Sequence, residues 1–449
     1  MIYYGILIAL LSTLFGQFFR LELAGGAILF LDLFLPALFF SWCAKLIFQK
    51  RNIWTELKKF PVFFEGLLVV AIFLVSLFIA GINMTTIEFA TSGFYLFRYT
   101  FLFLFSVVVY NEYSEFLETK EHINKIKIFF LQYITFIAVG LAILGFLQLY
   151  LYPDFRAMAE KGWDPHIGRL LSTWFDPNFL GSFFSFILTL LAGIFGVYTK
   201  KYPILSFNFS QNKKNFTQFY NKKITGIFIF ITLLLLIALL LTYSRSALLA
   251  FILPTFILGI IYFRGLLLSL SFAIILLLPF SPRATERITD GIHSAVSITE
   301  TNSMFVPDPT ARLRVENMQQ GLQLAHQNFW TGIGFNTIRL HKTKNIHSSG
   351  GFDSSLLTTL VTSGIFGLIA FLFFYFRLAL KLLWKSREYK NSTDSTESNT
   401  ILYGATVGFL TSFIGFFAQS FFINSLYYSL FIIFIFSVTG VLLAKNKSK

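Results

Sequence analysis

Charged residues are scarce in this chain. Asp, Glu, Lys and Arg make up 13% of its 449 residues, against about 25% in an ordinary soluble domain. A soluble fold needs more charge than that to cover its surface, so soluble and disordered classes are excluded. Cysteine is nearly absent: Cys43 alone lies in an apolar run, so there is no internal disulfide and no disulfide scaffold. Glycine (29) and proline (11) are too few for a collagen-like chain. A phosphate-binding glycine-rich loop, a nucleophile elbow and a dinucleotide fingerprint are all missing. The six histidines show no i, i+4 zinc spacing. Neither a cofactor nor a metal is expected. Met1 to Phe19 lacks a basic n-region and a small-residue cleavage pattern, so it reads as a first span and not a removed signal peptide.

What is present is apolar. Hydrophobic residues make up 55%, with 60 Phe, and the mean hydropathy is +0.69. This composition fits an all-α polytopic membrane protein. A span needs roughly 20 mostly apolar residues. Twelve such runs are expected: Ile2–Phe19, Ala24–Phe48, Pro61–Ile82, Gly93–Tyr110, Ile126–Tyr152, Asn178–Tyr198, Ile224–Leu241, Ala247–Phe263, Leu266–Phe280, Ser354–Leu383, Ile401–Ala418 and Phe421–Ala444. None alternates strictly, so helices are expected and not a barrel. Residues 1–280 would form spans one to nine, 281–353 a large extracytoplasmic loop, and 354–449 the last three spans.

The +14 net charge invites a nucleic-acid reading, but its distribution favours a membrane one. With the N-terminus in the cytoplasm, about 23 of the 36 basic residues, mostly Lys, fall in cytoplasmic stretches, as the positive-inside rule requires. Both termini are then cytoplasmic. Trp42, Trp54 and Trp384 fall near the inner interface, and Trp163, Trp174 and Trp330 near the outer one. No nucleic-acid partner is expected.

The outer face is different. Its basic residues are mostly arginine: Arg20, Arg98, Arg156, Arg169, Arg245, Arg283, Arg287, Arg312, Arg314 and Arg339. A guanidinium fork matches phosphate oxygens bidentately, whereas an ammonium is a point charge. A phosphate-bearing ligand outside is the reading; helix-end anchors are the alternative for any single arginine. Arg245 sits in the tight turn Thr242-Tyr-Ser-Arg-Ser246, where a charge needs a partner or water. Arg169 precedes the start of the sixth span, whose free N–H groups would favour an anion. Asp32 and Arg98 lie at similar depth inside two spans, so an ion pair is expected. In the large loop, Asp308 can cap and Pro309 can open a helix. Ala311, Val315, Met318, Leu322, Ala325 and Phe329 repeat on one of its faces, and Arg312 and Arg314 lie near its start. Such a helix could lie on lipid.

Three segments resemble the bacterial O-antigen ligase and O-antigen polymerase family of membrane glycosyltransferases. They are Ser172-Thr-Trp-Phe-Asp-Pro-Asn-Phe-Leu-Gly181, Thr242-Tyr-Ser-Arg-Ser-Ala247, and Arg314 followed by Asn328-Phe-Trp-Thr-Gly-Ile-Gly-Phe-Asn336 and Asp353-Ser-Ser with Gly364 and Gly367. By motif the resemblance covers roughly residues 169–370. It implies a donor glycan on undecaprenyl diphosphate, used at the outer face of the bacterial cytoplasmic (inner) membrane for cell-surface polysaccharide synthesis. The acceptor would be a sugar hydroxyl, on a lipid core for a ligase or on a lipid-linked repeat unit for a polymerase. A chain-length regulator is an expected partner. Arg245 and Arg314, then Arg312 and Arg169, are the expected diphosphate-binding residues. The family's His position falls on Asp353, the nearest histidine is His347, and Phe329 stands where the family has Pro. Asp353 and His347 are thus both candidate bases, and Asp353 is also placed to cap the tenth span. A multi-pass transporter or flippase for lipid-linked oligosaccharides is the alternative function.

Overall fold

The computed structural model describes residues 1–23, 26–115, 120–201, 215–261, 309–341, 351–392 and 396–445. Helices dominate. In chain order they are α1 (Ile2–Leu11), α2 (Phe30–Phe48), α3 (Ile53–Leu57), α4 (Phe63–Gly81), α5 (Thr86–Ser114), α6 (Lys120–Leu151), α7 (Pro177–Lys201), α8 (Asn215–Leu241) and α9 (Arg245–Ile261). After them come α10 (Pro309–Gln327), α11 (Ile338–His341), α12 (Ser355–Lys390), α13 (Glu397–Gln419) and α14 (Ser429–Leu443). Among the described residues, seven stretches, in α2, α4, α5, α6, α7, α12 and α13, are long and apolar enough to cross a membrane. Those in α1, α8, α9 and α14 are apolar but shorter. The chain is a multi-pass membrane protein. The expected ninth span, Leu266–Phe280, lies outside the described residues.

The core follows from composition. Every residue of α14 is buried, as a helix apolar on all sides should be. It packs chiefly against α5, with α12, α6 and α7 also against it. Phe183 of α7 meets Phe434 at 4.4 Å between ring centroids, and Phe431 meets Phe416 of α13 at 5.2 Å.

Several element ends differ from the sequence reading. The first run stays α-helical only to Leu11, then tightens into 3-10 turns as far as Phe19. The second does not start as a helix. Arg20–Leu23 and Gly26–Leu29 pair antiparallel as β1 and β2, the hairpin that leads into α2. The fourth starts at Thr86 and not at Gly93, because Thr85 and Glu88 form a capping box. The tryptophan reading also needs correction. Trp42 and Trp174 are fully buried, and the Trp174 indole donates to the Thr13 carbonyl at 2.9 Å. These two serve the core and not an interface.

Charge segregates by end. At one end, Lys45 of α2 donates to Glu112 (2.5 Å) and Glu115 (2.8 Å) of α5. Arg51 joins Glu115 and Glu56, and Lys59 bonds Glu56 at 2.5 Å. Lys127 of α6, fully buried, donates to the Ala444 carbonyl at 2.8 Å. Helices run alternately up and down, so the loops that meet at the opposite end are those expected outside.

Candidate functional site

At that opposite end lies a cavity of about 680 Å³. Its walls come from the length of the chain, from Gln17 to Ser429. Five arginines line it, Arg20, Arg98, Arg169, Arg245 and Arg339, and so do four carboxylates, Asp164, Asp176, Glu316 and Asp353. Arg169, Arg245 and Asp353, far apart in sequence, thus share one cavity. Arg312 and Arg314 fall in the first turns of α10. Their side chains, and all of His347, lie outside the described residues.

Arg169 is a staple. Its Nε donates to the Thr242 carbonyl at 2.8 Å, one terminal nitrogen to Asn178 Oδ1 at 3.2 Å, and the other meets His166 Nδ1 at 3.4 Å. Ser244 Oγ donates to the same Asn178 oxygen at 3.0 Å. Asn178 therefore joins the segment before α7 to the α8–α9 turn, and two of the three motif segments meet. Arg245 opens α9, half-buried beside them. The free N–H groups expected at the start of α7 are already taken: Asp176 Oδ1 accepts from Asn178 N at 2.7 Å and Phe179 N at 3.2 Å. The anion at this helix start is the chain's own carboxylate.

The third segment is joined through backbone. α12 breaks at Gly364, where φ is 66° and ψ is −169°. The break frees carbonyls of the preceding turn. Ile333 N donates to the Val361 carbonyl (2.9 Å) and Gly334 N to that of Thr362 (3.0 Å), while Ile365 N donates to Phe329 O (2.8 Å). Ser76 Oγ from α4 lies 2.6 Å from the carbonyls of both Thr331 and Thr362. The glycines of this motif thus build a backbone joint. They hold Phe335, Asn336 and Arg339 at the cavity wall.

Asp353 is exposed and lines the cavity, but it does not cap α12. Ser354 is the cap, its Oγ accepting from Leu357 N at 3.1 Å. The expected Asp32–Arg98 pair is present, with Nε to Oδ1 and Nη2 to Oδ2 both at 2.6 Å, and Nη2 also reaches the Ala27 carbonyl at 2.6 Å. Arg98 thereby fixes the β1–β2 hairpin beside the cavity. It also lies 4.8 Å from the Tyr95 ring centroid, with Arg339 at 5.8 Å from the same ring. The sequence reading placed Arg20, Arg98 and Arg339 in the outer arginine set, yet gave them no site role. Asp176, Asn178 and Asn336 were visible only as motif letters.

The α10 helix falls where the capping signal predicts it. Its apolar stripe is split. Ala325 is buried, with Gly321 against Leu357 of α12, while Met318 and Leu322 stand 54% and 48% exposed. That uncovered face suits lipid. Non-glycine residues with positive φ also gather here: Ser172 (50°), Phe175 (58°), Tyr243 (50°) and Asn336 (57°). Residues in such sparsely populated backbone regions tend to cluster at functional sites.

Apolar helices around a charged, strained cavity at one end define a membrane protein with a polar reaction or binding chamber. Residues 230–372, about a third of the chain, match the family model for O-antigen ligase. Over that segment the chain is similar to the O-antigen ligase family. No curated protein matches it. The matched segment contributes Arg245, Glu316, Arg339 and Asp353 to the cavity, while Arg20, Arg98, Arg169 and Asp176 lie outside it.

Proposed function

We propose that this protein is a membrane glycosyltransferase that ligates or polymerises a glycan carried on undecaprenyl diphosphate. The observation that carries the reading is that Arg169 and Arg245 line one cavity with Asp353 in a chain that matches O-antigen ligase. An acceptor sugar hydroxyl attacks the anomeric carbon, and the lipid diphosphate leaves. Arginines neutralise the charge that develops on it, an effect that is large in a preorganised site. Arg245 and Arg169 are the residues assigned here, with Arg314 and Arg312 of α10 as the further candidates. A base must take the hydroxyl proton, and Asp353 and His347 are the positions that the family spacing offers. About twelve spans, cytoplasmic termini and a cavity facing outward from the bacterial inner membrane complete the reading. A chain-length regulator is its expected protein partner.

The test is product formation. Purified protein in liposomes is given a lipid-linked oligosaccharide and either a lipid-core acceptor or no other acceptor. Longer glycan from the donor alone marks a polymerase, and transfer to the core marks a ligase. Movement of donor across the bilayer without product would replace this reading with the transporter one.

A further inference from the structure

Asp176 is a cavity carboxylate to which the reading above gives no role. It follows Phe175, a residue at φ 58°, and precedes Pro177, the first residue of α7. Its Oδ1 is engaged by two backbone N–H groups, at 2.7 and 3.2 Å. They fix the carboxylate plane as an N-cap does. Among the described residues, Oδ2 has no hydrogen-bond partner, and Asp176 is a half-buried part of the cavity wall. Asp353, by contrast, is exposed on the connection into α12. Asp164, Arg169 and Tyr428 are close enough to interact with its charge, and His166, Arg20 and Arg245 line the same cavity.

Burial pushes the Asp176 carboxyl up to about 6, and the Asp164 charge acts in the same direction. Together they outweigh the two backbone N–H groups and Arg169, which pull it down. A base is most effective when its pKa lies near the working pH. Asp176 is then mostly ionised at neutral pH and still more basic than an exposed carboxylate.

We propose that Asp176 is the general base of the transfer reaction, holding the acceptor hydroxyl through Oδ2. This rests on the glycosyl-transfer reading. As the acceptor oxygen bonds to the anomeric carbon, its proton moves to Asp176. The bond from that carbon to the phosphate oxygen breaks, its electron pair leaving on the lipid diphosphate. Asp176 then releases the proton to water.

The experiment is a pH profile of kcat/KM from pH 5 to 8, on the full chain in liposomes with a lipid-linked donor. The unaltered protein should gain activity as pH rises through about 6. Asp176→Asn should cost about 100-fold or more and flatten that rise, a typical loss for a general base. Asn caps a helix as well as Asp does, so the fold and donor binding should be kept. Asp176→Ser, also a capping residue, serves as the second variant if the first does not fold. Histidines ordinarily titrate near 6.5, so His166→Gln is the control, and it should keep the rise. Asp176→Asn with near-normal rate and an intact rise would overturn the proposal. So would loss of donor affinity in place of rate, or a rise that disappears with His166→Gln. No product from the unaltered protein overturns the parent reading and this one with it. Product with an unaffected Asp176→Asn overturns this one alone.

Discussion

Arg169 and Arg245 carry the same charge in the same cavity, but they are held differently. Arg169 spends its nitrogens on Thr242, Asn178 and His166 and is 8% exposed. Arg245 is half-buried at a helix start. Arg245→Ala should lower glycan transfer by about 100- to 1000-fold, the usual cost of one electrostatic donor, with a smaller change in melting temperature than Arg169→Ala. Arg169→Ala should lower both, since it also unties the α8–α9 turn. Transfer assays paired with thermal melts check this; equal melts for the two variants would contradict it. Arg98 poses a third case. Asp32 is 4% exposed, so Arg98→Ala strands a buried carboxylate at a cost of about 3–5 kcal/mol. Joining Arg98→Asp with Asp32→Arg should recover part of the folded yield lost by Arg98→Asp. Asp32 Oδ2 also accepts from Leu29 N at 2.6 Å, so no recovery would mean that this bond and the Arg98–Ala27 carbonyl contact, and not the ion pair, set the geometry there.

At the scale of elements, α12 shows how a motif can be structural. Gly364 adopts φ 66°, and a Cβ there would lie 2.1 Å from the Trp330 carbonyl oxygen. Strain of that kind costs on the order of 1–3 kcal/mol before any clash is counted. Gly364→Ala should reduce the melting temperature and shift the 329–339 joint, lowering transfer even though no substrate is touched. Unchanged melting would show that α12 can straighten without penalty. The elements also show what was legible in the sequence. Apolar runs located the helix bodies, because lipid demands roughly 20 apolar residues whatever the fold. Their ends were less legible. Residues 24–29 read as the start of a span, but Arg98 takes the Ala27 carbonyl and stabilises a hairpin. The Thr85–Glu88 capping box starts α5 early, a signal present in the sequence and passed over. The break at Gly364 was invisible, since its replacement hydrogen bonds come from a loop about thirty residues upstream. Residue type singled out Arg169 and Arg245, the family's spacing singled out Asp353, and the fold brings the three to one cavity wall. The cap at Ser354 and the setting of Asp176 depend on neighbours distant in sequence.

At the scale of the molecule, the two ends are chemically unlike. One holds paired Lys and Glu such as Lys45 with Glu112 and Lys385 with Glu388 (2.9 Å). The other holds the cavity, whose described lining has five arginines and no lysine. Lysine is strongly hydrated and suits an anchoring end; the less hydrated, planar guanidinium suits phosphate recognition. If lysine marks the cytoplasmic side, the cavity opens outward, the side on which the proposed transfer would take place. This orientation can be read directly because Cys43 is the sole cysteine. In a Cys43→Ser background, Arg156→Cys places a thiol at an exposed position beside the cavity end, and Glu388→Cys at an exposed position of the other end. The native side chains there are 66% and 63% exposed. An impermeant maleimide applied to intact cells stripped of their outer barrier should label the Arg156 variant and leave the Glu388 variant unlabelled until the membrane is opened. The reverse pattern would turn the cavity to the cytoplasm. The arginines would then face a compartment where the lipid-linked donor is still being assembled, and the transferase reading would lose its geometry.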